Sequence, residues 1–171
     1  MTEHTAEPGV AQAIVERRRA RVRCAAGTHR QPVGVHAESL PRERAEYLRK
    51  EAEELYWNEL AWEELTDEEV VSGGHLTELA FTGFLAFVDG LLLDGTPAES
   101  LAPARPHPDV IEEILVFLAE QVAAFTAELE GGADSQRVVW ARSMTERLID
   151  LVLCRLYQLT PEECEEVDAG E

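Results

Sequence analysis

Lysine is almost missing from this chain of 171 residues, in which Lys50 is the only lysine and arginine supplies every other basic side chain. Just 15 residues are basic against 34 acidic ones, so the formal net charge is −19 at pH 7. A surface that is acidic throughout repels nucleic acid and anionic membranes, because both carry negative charge. The total charge alone therefore argues against these two classes of partner.

Several sequence motifs of enzymes are missing as well. The chain contains no GxxxxGK(S/T), GxGxxG or GxSxG sequence, so it predicts neither a phosphate-binding loop nor a nucleophile elbow. Its three cysteines, Cys24, Cys154 and Cys164, form no CxxC pair, which argues against a disulfide framework and a zinc ribbon. We therefore expect no cofactor.

Targeting and membrane signals are also lacking. Residues 1–10 contain no apolar core of a secretory signal. The longest apolar stretch, residues 79–93, is interrupted by polar residues and glycines and is too short for a transmembrane helix. We expect a cytoplasmic location, where thiols stay reduced.

What the chain does have is an uneven distribution of charge. Residues 1–50 carry ten basic and six acidic side chains, a balance of +4. Residues 51–104 carry thirteen acidic side chains and no arginine or lysine, and residues 105–171 carry fifteen acidic and five basic ones. The sequence therefore predicts a basic N-terminal arm and loop over residues 1–40 and an acidic helical bundle over residues 41–171. Nucleic acid remains possible as a partner of the arm alone.

The hydrophobic pattern predicts an all-α fold, a four-helix-type bundle with a basic N-terminal arm or short helix. No long stretch alternates with a period of two, as strands would require. The expected helices cover residues 10–23, 41–65, 75–94, 109–130 and about 135–157, and Thr160 and Glu163 form a capping box for a short further helix. The helix over 75–94 is apolar almost all round, which predicts a central position or a dimer interface. The helix over 109–130 has one packing seam at spacings of three and four, formed by Ile111, Leu115, Leu118, Val122, Phe125 and Leu129.

Five arginines within seven positions form the strongest charge cluster, namely Arg17, Arg18, Arg19, Arg21 and Arg23. This density is typical of contacts to phosphates, but it also suits an acidic protein surface in the same chain or in a neighbour. Because the body offers many acids without counter-charge, we favour the acidic surface. No aromatic residue is interleaved with the arginines, which argues against base stacking.

Two groups of aromatic residues are candidates for packing against a partner. Trp57 and Trp62 belong to a helix that is otherwise rich in glutamate, and Phe81, Phe84 and Phe87 belong to the apolar helix that follows. Core packing is the ordinary role of such residues, whereas surplus exposed aromatics mark an interface.

His75 and Glu78 are the nearest approach to a metal-binding motif. A di-metal carboxylate bundle carries Glu-x-x-His on two helices and a further Glu on each of the other two. This chain contains no Glu-x-x-His, and His75 and Glu78 stand in the reverse order. The simpler interpretation is a helix start at which Glu78 complements the helix dipole. We therefore predict no metal site. If the chain binds a metal after all, His75 and Glu78 are the candidate ligands.

One segment near the C-terminus resembles a known family. Residues 149–163 read IDLVLCRLYQLTPEE, followed by Val167 and Asp168. The segment is similar to a pattern near the C-terminus of TaqI-like and fused restriction–modification N6-adenine methyltransferases. The residues in register are Ile149, Asp150, Leu156, Tyr157, Leu159, Thr160, Glu162 and Glu163.

This chain lacks the catalytic motifs of that family. The family's Asn/Asp-Pro-Pro-Tyr/Phe motif and its glycine-rich cofactor loop are missing here, so the resemblance transfers no catalytic residue. What it implies is a helical accessory or docking piece associated with such systems.

The sequence as a whole favours a non-enzymatic helical module for protein–protein interaction, whose partner is another protein or a second copy of the chain. The alternative is a DNA-associated accessory factor of a restriction–modification or defence system, with a metal-dependent helical-bundle enzyme as the third possibility. No membrane partner and no small-molecule substrate is evident.

Overall fold

A computed structural model describes residues 8–27, 32, 41–60, 81–93, 108–132 and 136–169. Within these ranges the chain forms helices and no strand, so the predicted all-α fold is confirmed. The helices are α1 (Pro8–Ala26), α2 (Arg42–Glu59), α3 (Thr82–Leu93), α4 (Pro108–Glu130), α5 (Gln136–Leu156) and α6 (Pro161–Ala169).

Helices α4 and α5 form the centre of the bundle. They pack against each other more extensively than any other described pair, while α1 contacts both and α2 packs on α4 and α3. The predicted seam of α4 is confirmed, because its first five members are buried and Leu129, in the last turn, is half-buried. The central position expected for the helix over 75–94 is instead held by α4 and α5, whose 23 and 21 residues offer more surface to bury than the 12 of α3.

The N-terminal basic segment is a helix with a side in the common core. Ala11, Val15, Arg18 and Val22 are buried at spacings of four, three and four along α1, which places them on one face of the helix. This face packs against α4, α5 and α6. Helix α1 is therefore built into the body, and of the loop expected up to residue 40 the structure describes Gly27 and Pro32 alone.

The turn from α5 to α6 contains the predicted capping box. The Thr160 backbone N–H donates to Glu163 Oε1 at 2.9 Å, and the Glu163 N–H donates to Thr160 Oγ1 at 3.2 Å. Two donors that the first turn of α6 leaves without helical partners are thus satisfied. The prediction of Thr160 as the cap is confirmed.

The start of α3 is capped from another helix. Helix α2 ends at Glu59, six residues before the predicted position, and the Glu59 carboxylate accepts hydrogen bonds from the Gly83 and Phe84 N–H groups, both at 2.7 Å. A Cβ at Gly83 would lie 2.5 Å from Glu59 Oε1. Glycine at position 83 therefore allows the close approach that joins α2 to α3.

Candidate functional site

Helical geometry divides the five arginines of α1 into two groups. Arg18, Arg19 and Arg21 bond to groups of α4, α5 and α6. Arg17 and Arg23 are exposed, and neither forms an ion pair with another residue in the described part of the chain. Three arginines thus contact the body of their own chain, and two remain on the surface.

Arg18 joins α1 to α5 through two carboxylates. Its Nη1 donates to Asp150 Oδ2 at 2.8 Å and its Nη2 donates to Glu146 Oε2 at 2.5 Å. Asp150 is 2% exposed and Arg18 is 8% exposed. Because an unpaired buried charge is strongly destabilising, this fork-like pairing is what makes a charged residue tolerable in the core.

Burial and pairing act in opposite directions on these ionisable groups. Burial raises the pKa of Asp150 above its ordinary value, and the guanidinium of Arg18 offsets part of that rise. Burial alone would lower the pKa of Arg18, but the carboxylates of Asp150 and Glu146 raise it. The guanidinium therefore stays charged across the physiological range.

The neighbouring arginines fasten α1 to two further helices. Arg19 donates to Glu112 Oε1 of α4, and its Nη1 donates to the Tyr157 hydroxyl at 3.3 Å. Arg21 donates to the backbone carbonyl of Val167 in α6. These contacts hold α1 in register along the bundle.

A groove opens between α1 and the helices α4 and α5. Its volume is about 920 Å³. Ile14, Val122 and small side chains such as Ala123 give it an apolar floor. Its charged lining consists of four arginines and two glutamates, namely Arg17, Arg18, Arg21, Arg142, Glu130 and Glu146. Arg17 is exposed there, so the groove combines an apolar floor with an available cation. Apolar floors with polar rims are typical of surfaces that receive a helix.

Helix α2 presents an exposed stripe that contains both aromatic and charged side chains. The stripe runs at spacings of four and three through Glu43, Tyr47, Lys50, Glu54 and Trp57, which are all exposed. Its two aromatic rings, Tyr47 and Trp57, are 53% and 49% exposed. Trp57 is the larger of the two exposed rings, and exposed tryptophans are enriched at protein interfaces.

The aromatic candidates for partner packing include both buried and exposed residues. Phe81 and Phe84 are fully buried within one chain and Phe87 is half-buried beside them. Their burial leaves Phe81 and Phe84 without surface for a partner, because they fill the space between α3 and its neighbours. Trp57 stays available, while Trp62 lies outside the described residues.

Metal-ligating side chains do not gather in the described ranges. No group of three or more His, Cys, Asp or Glu side chains there is arranged to hold a metal ion. The candidates His75 and Glu78 lie outside these ranges. No helix in the same ranges combines the length and the apolar character that a membrane span needs.

Sequence inspection missed Asp150 as the partner of the arginines, although two signals pointed to it. Arg18 occupies the position between Val15 and Val22 at which the buried face of α1 calls for an apolar residue. Asp150 interrupts the apolar run of residues 148–153. A charged residue in each of two buried faces indicates that the two pair with each other.

Fold and site together define a small all-α bundle with a cationic groove on one side and an exposed aromatic stripe on another. The chain matches no family model, and its comparison with curated proteins and with solved structures finds no significant similarity.

Proposed function

We propose that this chain is a non-enzymatic helical interaction module that associates with a second copy of itself. The groove of one copy receives the C-terminal half of helix α2 of another. The observation that carries this proposal is the pairing of an apolar, arginine-bearing groove with an exposed aromatic stripe on the same molecule.

The chemistry of the two surfaces is complementary. Glu54 is exposed on the stripe one turn before Trp57, whereas the groove exposes Arg17. Trp57 supplies the aromatic anchor that commonly dominates the binding energy of an interface. In this arrangement Trp57 packs on the groove floor around Ile14, and the Glu54 carboxylate faces Arg17.

The symmetry of this interface makes a distinctive prediction. Groove and stripe are different surfaces, so a pair leaves the stripe free on the copy whose groove is filled and the groove free on the other copy. A heterologous contact of this kind continues to a ring or an open chain unless one surface is blocked. We therefore expect assemblies larger than a dimer at high protein concentration.

The test measures molar mass by light scattering for the full chain and for two charge-reversed variants. Arg17→Glu places a negative charge in the groove and is expected to leave a species of 19.0 kDa, the monomer mass. Arg23→Glu is the matched control, because Arg23 is also exposed on α1 but does not line the groove. A chain that is monomeric at every concentration contradicts the proposal, and a different co-purifying protein would identify another occupant of the groove.

A second candidate function rests on the exposed arginines Arg17 and Arg23. As a DNA-associated accessory factor, the function that the resemblance at residues 149–168 implies, the chain would use both side chains on phosphates. Arg17→Glu and Arg23→Glu would then weaken DNA retention equally, and binding would fall steeply with salt. The engagement of Arg18, Arg19 and Arg21 within the chain argues against this function, because it leaves few cations for a phosphate backbone.

A cytoplasmic location fits either function and remains part of the proposal. A metal-dependent bundle enzyme, the third possibility, is tested by elemental analysis of protein purified without chelator. A stoichiometric metal would favour that enzyme over an interaction module.

A further inference from the structure

Two cysteines meet where α5 ends and α6 begins. Cys154 lies in the last turn of α5 and Cys164 in the first turn of α6, and the tight turn between them includes a hydrogen bond from the Leu159 N–H to the Cys154 carbonyl at 2.9 Å. Both side chains are buried, and a hydrogen bond between the two thiols shifts their pKa values in opposite directions. Both cysteines are free, as is Cys24, which is exposed on α1.

The pair borders an opening to the surface. Cys154 and Cys164 line a cavity of about 620 Å³ together with residues of α3, α5 and α6. The same cavity is lined by an ion pair in which Arg155 Nε donates to Asp89 Oδ1 at 2.9 Å. A small polar molecule can therefore reach the sulfurs although each side chain is largely buried.

The charges around the two sulfurs distinguish them. Arg147 Nη2 lies 4.0 Å from Cys164 Sγ. The hydrogen bond from Cys154 lowers the pKa of Cys164, and Arg147 lowers it further, whereas burial and the carboxylate of Asp150 raise it. The pKa of Cys154 is raised, because its proton is held in the same hydrogen bond and because it is buried. Cys164 therefore loses its proton more readily than Cys154, and the thiolate is the reactive form of cysteine.

We propose that Cys154 and Cys164 form a redox-active dithiol that a hydroperoxide oxidises to an intramolecular disulfide. The Cys164 thiolate attacks one peroxide oxygen, the O–O bond breaks, and hydroxide leaves and takes up a proton to form water. The resulting sulfenic acid on Cys164 is then attacked by the Cys154 sulfur, which forms the S–S bond and releases a second water. Two thiols and one hydrogen peroxide thus give one disulfide and two waters.

The test treats the full, unaltered chain with stoichiometric hydrogen peroxide, blocks remaining thiols with N-ethylmaleimide and analyses tryptic peptides by mass spectrometry. Cleavage after Arg147 and Arg155 separates the two cysteines. We expect the peptide Leu148–Arg155 to be cross-linked to the peptide that begins at Leu156, with a loss of two hydrogens that dithiothreitol reverses. Cys24 keeps its maleimide label. Oxidation of Cys24 with no such cross-link overturns the proposal.

Three serine variants assign the roles. Cys154→Ser leaves the sulfenic acid on Cys164 unresolved, so a dimedone adduct accumulates there. Cys164→Ser abolishes the reaction at the pair. Cys24→Ser is the matched control, which keeps the full yield of the cross-link. A dimedone adduct on Cys154 in the Cys164→Ser chain, at the yield seen for Cys164, would contradict the assignment of the attacking thiolate.

Discussion

Arg18→Met removes the guanidinium that joins α1 to α5 and keeps an unbranched side chain of similar length. The change leaves Asp150, which is 2% exposed, without the donor that now lies 2.8 Å away. Breaking one side of a buried ion pair costs about 3–5 kcal/mol of unfolding free energy. We expect the lower part of that range, because Arg21 Nη1 remains 4.0 Å from Asp150 and Glu146 is 31% exposed to water.

The loss of unfolding free energy in Arg18→Met should depend on pH, and the burial of Asp150 determines in which direction. Without Arg18, burial raises the pKa of Asp150 still further above the unfolded value, so the folded state binds a proton that the unfolded state has lost. The stability of Arg18→Met relative to the original chain therefore increases as the pH falls from 7 towards 5. Removing both charges in Arg18→Met/Asp150→Leu should cost less than the sum of the two single changes.

Urea unfolding followed by circular dichroism at pH 7 and pH 5 measures these effects. Arg23→Met is the matched control, because Arg23 is an exposed arginine of α1 that does not line the groove, and its expected effect is within about 0.5 kcal/mol. An Arg18→Met chain as stable as this control would refute the argument, as would additive single and double changes.

Three further predictions concern local features. Tyr56→Phe removes a buried hydroxyl whose pKa burial raises, so above pH 10 the tyrosine ionises in the unfolded state first. The stability of the original chain relative to the variant should therefore fall by about 1 kcal/mol between pH 10 and pH 11 in urea unfolding. Gly83→Ala adds a Cβ 2.5 Å from the carboxylate oxygen that caps α3 and should lower the unfolding free energy by about 1–2 kcal/mol. Gly90→Ala, in the same helix with nothing within 4 Å of the new Cβ, should instead raise it by about 0.5–1 kcal/mol, and thermal unfolding of the two variants separates the effects. Thr160→Ala removes the cap of α6 and should cost about 1 kcal/mol in the same assay. A Tm equal to that of the original chain would show that the capping box contributes nothing.

The features that sequence predicts well are those fixed within one or two helical turns. The seam of α4 follows from apolar residues three and four positions apart, and the capping box follows from Thr160 and Glu163 alone. Both depend on neighbours in the chain, so the local pattern contains all the information required.

The features that escaped prediction depend on residues far apart in the chain. Arg18 and Asp150 are separated by 132 positions, and Glu59 caps a helix that begins more than 20 residues later. Their meeting requires the packed bundle, which spacing within either segment does not specify. The five arginines therefore looked like one cluster, although a helix turns them in different directions, and only the packed structure shows which of them face the core.

Mixing two blocked chains tests most directly whether the groove of one copy binds α2 of another. Arg17→Glu prevents binding at the groove and leaves the stripe intact, whereas Trp57→Gln prevents binding through the stripe and leaves the groove intact. Each variant alone should have the monomer mass of 19.0 kDa in light scattering, and an equal mixture should form a dimer that grows no further, because one good groove and one good stripe remain. A mixture that stays monomeric, or variants that assemble as the original chain does, would contradict the account.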